Sequence, residues 1–216
     1  TYRLLQTAEK VVSVEIDSGL IPVLSDTLSE FDNFEVINSD VLKLDIKSLI
    51  AEKFGGDAPF VIANLPYYIT SPIIMYLLES KIDFKKIVVM VQKEVADRLS
   101  SPPGTKDYGV ITAAVNYYAD VRTLFGVPRD CFIPSPNVDS AVIELIPRVH
   151  PTCRPQSEDL FFRTIKASFA QRRKTLLNSI SKSGYINLPK EKIENAIIDK
   201  NARIGDNCVL SPKGKP

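Results

Sequence analysis

Short β-rich runs alternate with stretches of helical spacing through the first two thirds of the chain. Val11-Val12-Ser13-Val14-Glu15-Ile16, Phe34-Glu35-Val36-Ile37, Phe60-Val61-Ile62-Ala63 and Lys86-Ile87-Val88-Val89-Met90-Val91 have the length and apolar density of buried strands. Between them, residues 18–31, 46–54 and 72–79 carry apolar positions at helical spacing, so repeated βα units predict a parallel, doubly wound α/β sheet. Residues 120–127 and 140–146 predict a closing pair of strands joined by a proline-rich connection. Pro147, Pro151 and Pro155 then punctuate a linker, and Ser157-Glu158-Asp159 supplies a helix N-cap followed by acids in the first turn. Beyond it Phe161, Phe162, Ile165, Phe169, Leu176, Leu177 and Ile180 recur at helical spacing. The expected organisation is an α/β body over 1–147, a linker over 148–156 and a small helical domain over 157–216.

With 216 residues, 44% of them hydrophobic and 25% charged, the chain can bury a real core, which excludes a disordered or fibrous class. The densest apolar run, Ile87-Val88-Val89-Met90-Val91, has strand length and falls far short of the roughly 18 residues a membrane helix needs. The start, Thr1-Tyr2-Arg3-Leu4-Leu5-Gln6, has no Met and no basic-then-apolar signal region, so the expectation is a soluble, cytoplasmic chain cut from something longer. Cys131, Cys153 and Cys208 fit neither a disulfide framework nor a metal-ligand spacing, and no metal is expected. The one histidine, His150, lies in the proline-punctuated segment and reads as a surface residue. Charge changes the picture more. Up to Pro147 there are 13 Lys/Arg against 20 Asp/Glu, a net of −7; from Arg148 onward there are 14 against 6, a net of +8. An acidic body with a basic tail suggests that only the second part meets a polyanion, although a solvated helical face would carry the same charge.

Ligands of open parallel sheets sit beyond the carboxyl ends of the strands, so polar residues at strand exits are the candidate chemistry. Glu15 and Asp17 end the first run, Asp40 follows the second and Asn64 ends the third. A carboxylate at such an exit can accept both hydroxyls of a ribose, and one at the next exit can reach an adenine amine. Each acid taken singly could equally be a helix cap. Asn64-Leu65-Pro66-Tyr67 is more specific, because its parts answer one problem, the methylation of an exocyclic amine on an aromatic base. Such a nitrogen is a poor nucleophile, its lone pair being delocalised into the ring. The Asn64 side-chain oxygen and the Leu65 carbonyl are two acceptors that would draw its hydrogens out and localise that pair. Pro66 stiffens the turn that aims the carbonyl, and Tyr67 offers a π-face to a base lifted from its helix.

These residues, with others in order along the chain, resemble the KsgA-type family of ribosomal RNA small-subunit (16S) adenine N6,N6-dimethyltransferases. The resemblance is carried by Val14-Glu15-Ile16-Asp17, Asn38-Ser39-Asp40-Val41-Leu42, Asn64-Leu65-Pro66-Tyr67-Tyr68-Ile69, Gln92-Lys93-Glu94-Val95-Ala96-Asp97-Arg98, Lys106-Asp107-Tyr108-Gly109, Phe132-Ile133-Pro134-Ser135-Pro136-Asn137-Val138-Asp139-Ser140-Ala141 and Phe169-Ala170-Gln171-Arg172-Arg173-Lys174-Thr175-Leu176. It implies a Rossmann-like methyltransferase core with a small C-terminal helical domain, and S-adenosylmethionine as cofactor. Glu15 would hold its ribose hydroxyls and Asp40 its adenine amine, with Ile16, Val41 and Asn64 also binding the cofactor. Asn64, Leu65, Pro66 and Tyr67 would take the target adenine, with Phe132 stacked on its other side. The implied reaction is direct methyl transfer to adjacent adenosines near the 3′ end of the small-subunit RNA, by a cytoplasmic monomer acting in ribosome biogenesis.

The resemblance also points Arg163, Lys166, Arg172, Arg173 and Lys174 toward RNA phosphates, as residues close in helical phase. The segment 107–109 is open between a loop near RNA and a structural turn, and 92–98 between a functional motif and a helix whose Glu94 and Arg98 pair on its surface. One departure stands out. The family opens its cofactor site with a Gly-rich loop after a first strand, and none of the nine glycines forms a Gly-x-Gly. The expectation is a sheet without its first strand and weakened cofactor binding, together with an irregular end over 204–216. The alternatives are a macrolide-resistance-type large-subunit rRNA methyltransferase, a non-catalytic RNA-binding assembly or transcription factor of the same fold, and a DNA adenine methyltransferase.

Overall fold

All six strand-like runs are strands. The computed structural model describes residues 1–171, 174–187 and 193. Along it run α1 (Tyr2–Leu5), β1 (Val11–Glu15), α2 (Leu20–Thr27), β2 (Phe34–Asn38), α3 (Ile46–Phe54), β3 (Phe60–Asn64), α4 (Thr70–Glu79), β4 (Lys86–Gln92), α5 (Lys93–Leu99), α6 (Val110–Tyr118), β5 (Ala119–Val127), β6 (Ser140–Pro147), α7 (Glu158–Phe169) and α8 (Leu176–Lys182). Among the described residues the strands make two ladders rather than the one sheet expected: parallel β1-β2, and a four-stranded β3-β4-β6-β5. The chain divides into two compact units, 1–59 with 72–82 and 60–71 with 83–216. That division does not follow the 147/157 boundary anticipated from the prolines.

In the first unit β1 and β2 pair from Val11↔Phe34 to Glu15↔Asn38 with α2 as the crossover. Helix α2 is shorter than its apolar spacing suggests, because Leu28 already leaves helical geometry at φ −116° and ψ 16°. Helix α3 starts where the Asp45 carboxylate accepts the Ser48 N–H, and the same Ser48, bonding through its hydroxyl as well, holds the Asp45 carboxyl below its ordinary pKa. It ends at Gly55, whose φ of 61° lies in the left-handed region that glycine adopts without strain. The Tyr76 hydroxyl donates to the Leu44 carbonyl, tying α4 to the segment before α3.

In the second unit β3 runs parallel to β4, and β6 inserts antiparallel between β4 and β5. On β4 alternation is strict: Ile87, Val89 and Val91 are wholly buried, with Ile143 and Leu145 of β6 beside them in the core. Glu144, also buried, is tolerated because Lys86 of β4 donates to one carboxylate oxygen at 2.7 Å and Arg122 of β5 to the other. Those two hydrogen bonds, Lys86 first, lower the Glu144 pKa. Helix α7 packs on α6 through Tyr117, Tyr118, Phe161 and Phe162, whose ring centroids lie 4.8 to 5.6 Å apart. Burial, with the nearby Glu158 carboxylate, pushes the Tyr117 hydroxyl up to about 12. The segment expected to be a linker is likewise bound down: the Arg148 N–H donates to the Tyr118 carbonyl at 2.8 Å and the Thr152 hydroxyl to the Asn116 carbonyl at 3.0 Å. These contacts explain why the helical segment belongs to the same unit as the sheet.

The helical run from Phe161 to Ile180 is interrupted. Buried Ser179 donates to the Ala167 carbonyl at 2.7 Å and accepts the Gln171 N–H at 3.1 Å, so the end of α7 is clasped against α8 over a small core of Ala167, Ile180, Ile186 and Ile193. Two stability effects follow. Ile143→Ala, which empties a wholly buried site, should lower unfolding free energy by about 2–5 kcal/mol in denaturant titration. Because the folded Glu144 pKa lies below the ordinary 4.5, its ion pairs stabilise the fold above that pH and the contribution is lost as pH falls through the folded value. Glu144→Gln should therefore flatten the acid side of a melting-temperature profile below pH 4.5.

Candidate active site

Within the first unit, both carboxylates read from the sequence leave the carboxyl end of the β1-β2 ladder. Glu15 ends β1 opposite Asn38, the last residue of β2. The Asn38 carboxamide donates to the carbonyls of Glu15 and Ile16, at 2.8 and 3.2 Å, and the Ser39 N–H donates to Glu15 at 3.0 Å, so the exit from β1 is fixed. Glu15 Oε1 accepts the Asp17 N–H at 2.8 Å, and among the described residues no hydrogen bond ends on Oε2. Asp40 caps the 3-10 turn Val41–Lys43, its Oδ1 accepting the Leu42 N–H at 3.0 Å, while Oδ2 faces the exposed Lys43 amine at 3.8 Å. Glu15 thus spends one oxygen on its own loop, whereas Asp40 spends Oδ1 on its turn and holds Oδ2 in a loose ion pair with Lys43 of the same turn. The Ile16 side chain beside them is 69% exposed and Val41 is half-buried, which places apolar surface next to the acceptors.

Within the second unit, Asn64 ends β3 opposite Met90 and its side chain is exposed. The Leu65 N–H donates to the Met90 carbonyl at 3.2 Å, and the Leu65 side chain is buried. Pro66, at φ −58° and ψ 130°, turns the chain into the 3-10 turn Tyr67–Ile69, and its carbonyl accepts the Ile69 N–H at 3.2 Å and the Thr70 hydroxyl at 3.0 Å. Among the described residues no hydrogen bond ends on the Leu65 carbonyl or on the Asn64 carboxamide. Tyr67 is half-buried, and its hydroxyl shares a hydrogen bond of 2.7 Å with Ser140, which is wholly buried at the start of β6. Ser140 has no role that the sequence pattern discloses, because its partner lies 73 residues away and no local spacing links the two. Phe132, half-buried, closes the turn Arg129–Cys131 in the connection leading to Ser140.

The basic residues are less gathered than helical phase implied. Arg163 and Lys166 are exposed on α7, but Lys174 lies in the interruption before the α8 cap Thr175, off that helix, because Ser179 draws the chain back. Arg163 is also engaged internally, donating to the Tyr185 carbonyl at 2.8 Å and to Asp159 at 3.3 Å. Arg172, Arg173 and the expected irregular end over 204–216 lie outside the described residues. Residues 93–99 are α5, with Arg98 and Glu94 paired at 2.6 Å on its surface. Gly109 caps α6, its N–H donating to buried Thr112, while the Tyr108 ring lies 6.2 Å from Phe169 and burial raises its pKa. His150 is exposed, no group of three His, Cys, Asp or Glu among the described residues could hold a metal, and no described helix is long and apolar enough to cross a membrane.

A family model described as ribosomal RNA adenine dimethylase matches residues 1–211. The chain is 52% identical to the ribosomal RNA small subunit methyltransferase A of Clostridioides difficile (strain 630), covering 94% of this chain and 71% of that protein. Its counterpart in Geobacillus thermodenitrificans (strain NG80-2) is also 52% identical, over 91% of this chain and 68% of that protein. Among solved structures, a dimethyladenosine transferase from Plasmodium falciparum superposes with a TM-score of 0.71 at 28% identity, over 89% of this chain and 67% of that one. The 23S rRNA methyltransferase ErmE shares the fold, with a TM-score of 0.64 at 24% identity over 98% of this chain and 81% of that one.

The Tyr67–Ser140 hydrogen bond is testable as a pair. A double-mutant cycle of Tyr67→Phe and Ser140→Ala should give a coupling of about 0.5–1.5 kcal/mol in chemical denaturation, and additive losses would show that the two hydroxyls do not interact.

Proposed function

The chain belongs to the ribosomal RNA adenine dimethylase family, and from that premise we propose how its residues divide the work of dimethylating adjacent adenosines near the 3′ end of the small-subunit RNA. It is an S-adenosylmethionine-dependent rRNA adenine dimethyltransferase with a Rossmann-like fold, and its substrate is the small-subunit ribosomal RNA. The observation that carries the division of roles is the pair of acceptors left unused past the end of β3, the Asn64 carboxamide oxygen and the Leu65 carbonyl, beside a tyrosine anchored through its hydroxyl. We read the enzyme as a cytoplasmic monomer, since its substrate is itself a large particle and catalysis requires no second copy of the chain.

The cofactor fits the acceptors of the first unit. Glu15 would accept the ribose hydroxyls through Oε2 and Asp40 the adenine amine through Oδ2, in competition with its loose pairing to Lys43, with Ile16 and Val41 as apolar lining. Bound S-adenosylmethionine supplies a methyl carbon activated by a sulfonium centre. The chain's own residues prepare the nitrogen that attacks it. Asn64 and Leu65 accept the two amine hydrogens of the target adenine and turn its lone pair out of conjugation, while Tyr67 and Phe132 hold the ring by stacking. As the N–C bond formed, the methyl group's C–S bond would break with its electron pair going to sulfur to leave a neutral thioether, and one of those hydrogens would leave as a proton to solvent. The monomethylated amine keeps one N–H for one acceptor, so the same pair serves a second transfer. Positioning and oriented acceptors carry this catalysis, which requires no covalent enzyme intermediate.

Arg163, Lys166, Arg172, Arg173 and Lys174 would grip RNA phosphates rather than bases, in keeping with the net charge of +8 beyond Pro147. Two outcomes test these roles with labelled S-adenosylmethionine and unmethylated small ribosomal subunits. Asn64→Ala should lower kcat for methyl transfer by about 10²–10³ with subunit binding retained, and normal dimethylation by this variant would overturn the role of Asn64. Lys166→Glu combined with Lys174→Glu should weaken binding and reduce the slope of log K against log salt by about 2; an unchanged slope would reject that surface.

A further inference from the structure

At the end of the four-stranded sheet that carries Asn64, three apolar side chains face solvent. Tyr68, one residue past Tyr67, is 84% exposed; Ile133 is 101% exposed; Val138 is 42% exposed. Topology puts them at one place. The carboxyl ends of β3 and β4 lie at the same end of the sheet because β3 runs parallel to β4, with Asn64 opposite Met90, two residues before β4 ends. Gln92 of β4 and Val127 of β5 both pair with Ser140, so the connection from β5 to β6 leaves and re-enters the sheet at that same end. The connection is pinned. Asp139 accepts the Arg129 N–H on its side chain at 3.0 Å and the Lys93 N–H on its carbonyl at 2.9 Å, and the Ser135 hydroxyl donates to the Arg129 carbonyl at 3.1 Å. The Phe132 N–H donates to that same carbonyl at 3.1 Å, and Pro134 and Pro136 restrict the backbone on either side of Ser135. Ile133 is therefore an aliphatic side chain held out in water by a tethered loop, next in sequence to the aromatic Phe132.

The chemistry of the neighbouring site explains such a residue. An adenine stacked in RNA cannot bring its amine to Asn64, and removing it opens a gap in the stack that costs a few kcal/mol unless something apolar fills it. Building on the dimethylation reading above, we propose that Ile133 is the wedge that occupies the gap left when the target adenine swings toward Tyr67, with Tyr68 and Val138 as apolar shoulders against the flanking bases. A β-branched aliphatic group suits the task, since it has few rotamers to lose and no polar atom to bury.

The test is 2-aminopurine fluorescence in a small-subunit RNA hairpin carrying that base at the target position, because its emission rises as the base leaves the stack. The full chain should raise the emission, Ile133→Ala and Ile133→Asp should reduce the rise on the order of tenfold, and Ile133→Leu should keep it within about twofold. Fold and cofactor binding should not move, the side chain having no packing to lose. On a hairpin with an abasic site beside the target, where the stack is already broken, Ile133→Ala should recover the unaltered protein's signal, a rescue that a merely structural defect would not show. Full emission from Ile133→Ala on the stacked hairpin, or a loss the abasic hairpin does not repair, would overturn the wedge and leave the dimethylation reading standing. Failure of the unaltered protein to methylate small subunits would instead remove that reading, and the wedge with it.

Discussion

The hydrogen bond from the Leu65 N–H to the Met90 carbonyl is the last rung between β3 and β4, and the arrangement of the candidate site at that end of the sheet depends on it. Residue 66 is proline, which has no N–H to donate and a φ already near −60°, so the ladder cannot continue and the chain must turn. The turn is closed onto the Pro66 carbonyl by Ile69 and Thr70, while the buried Leu65 side chain holds the backbone down. The Asn64 side chain and the Leu65 carbonyl are then beyond the sheet with no strand to satisfy them. A polar group left in that condition is available to a ligand at no cost in internal hydrogen bonds.

The same rung connects the site to the stability of the unit. β4 is wholly buried on one face and shares its other edge with β6, whose first residue, Ser140, holds the Tyr67 hydroxyl. Slippage of β6 by one residue would turn Ser140 away from Tyr67 and would also carry Glu144 off Lys86 and Arg122. The buried carboxylate therefore enforces register as much as it stabilises, because a charge in the core is tolerated only where both its partners can reach it.

The helical segment shows the opposite economy. Beside its own small core, its aromatic face binds the region after Pro147 to α6, since Phe161 and Phe162 pack on Tyr117 and Tyr118. A basic surface carried on a segment so attached would move with the sheet rather than on a tether, which suits an enzyme that must place one base of a large particle at a fixed site.

Much of this could be read before any coordinates. Strand runs announce themselves as short, dense apolar stretches, Ser157 declares a helix start because capping is local, and Asn64 to Tyr67 gather two acceptors, a proline and an aromatic in four adjacent residues. Helix α6 escaped, being apolar nearly all round and preceded by prolines and glycine, so no single stripe marked it. Other features had to wait for tertiary structure because they join residues far apart in the chain. Tyr67 meets Ser140 across 73 positions, Ser179 breaks a helical phase that continued unbroken on paper, and Ile133 reads as one more aliphatic residue until the fold holds it in solvent beside the site. Local propensity and side-chain chemistry act within a few residues and are written in order; ladder register and burial are settled only when distant segments compete for the same partners.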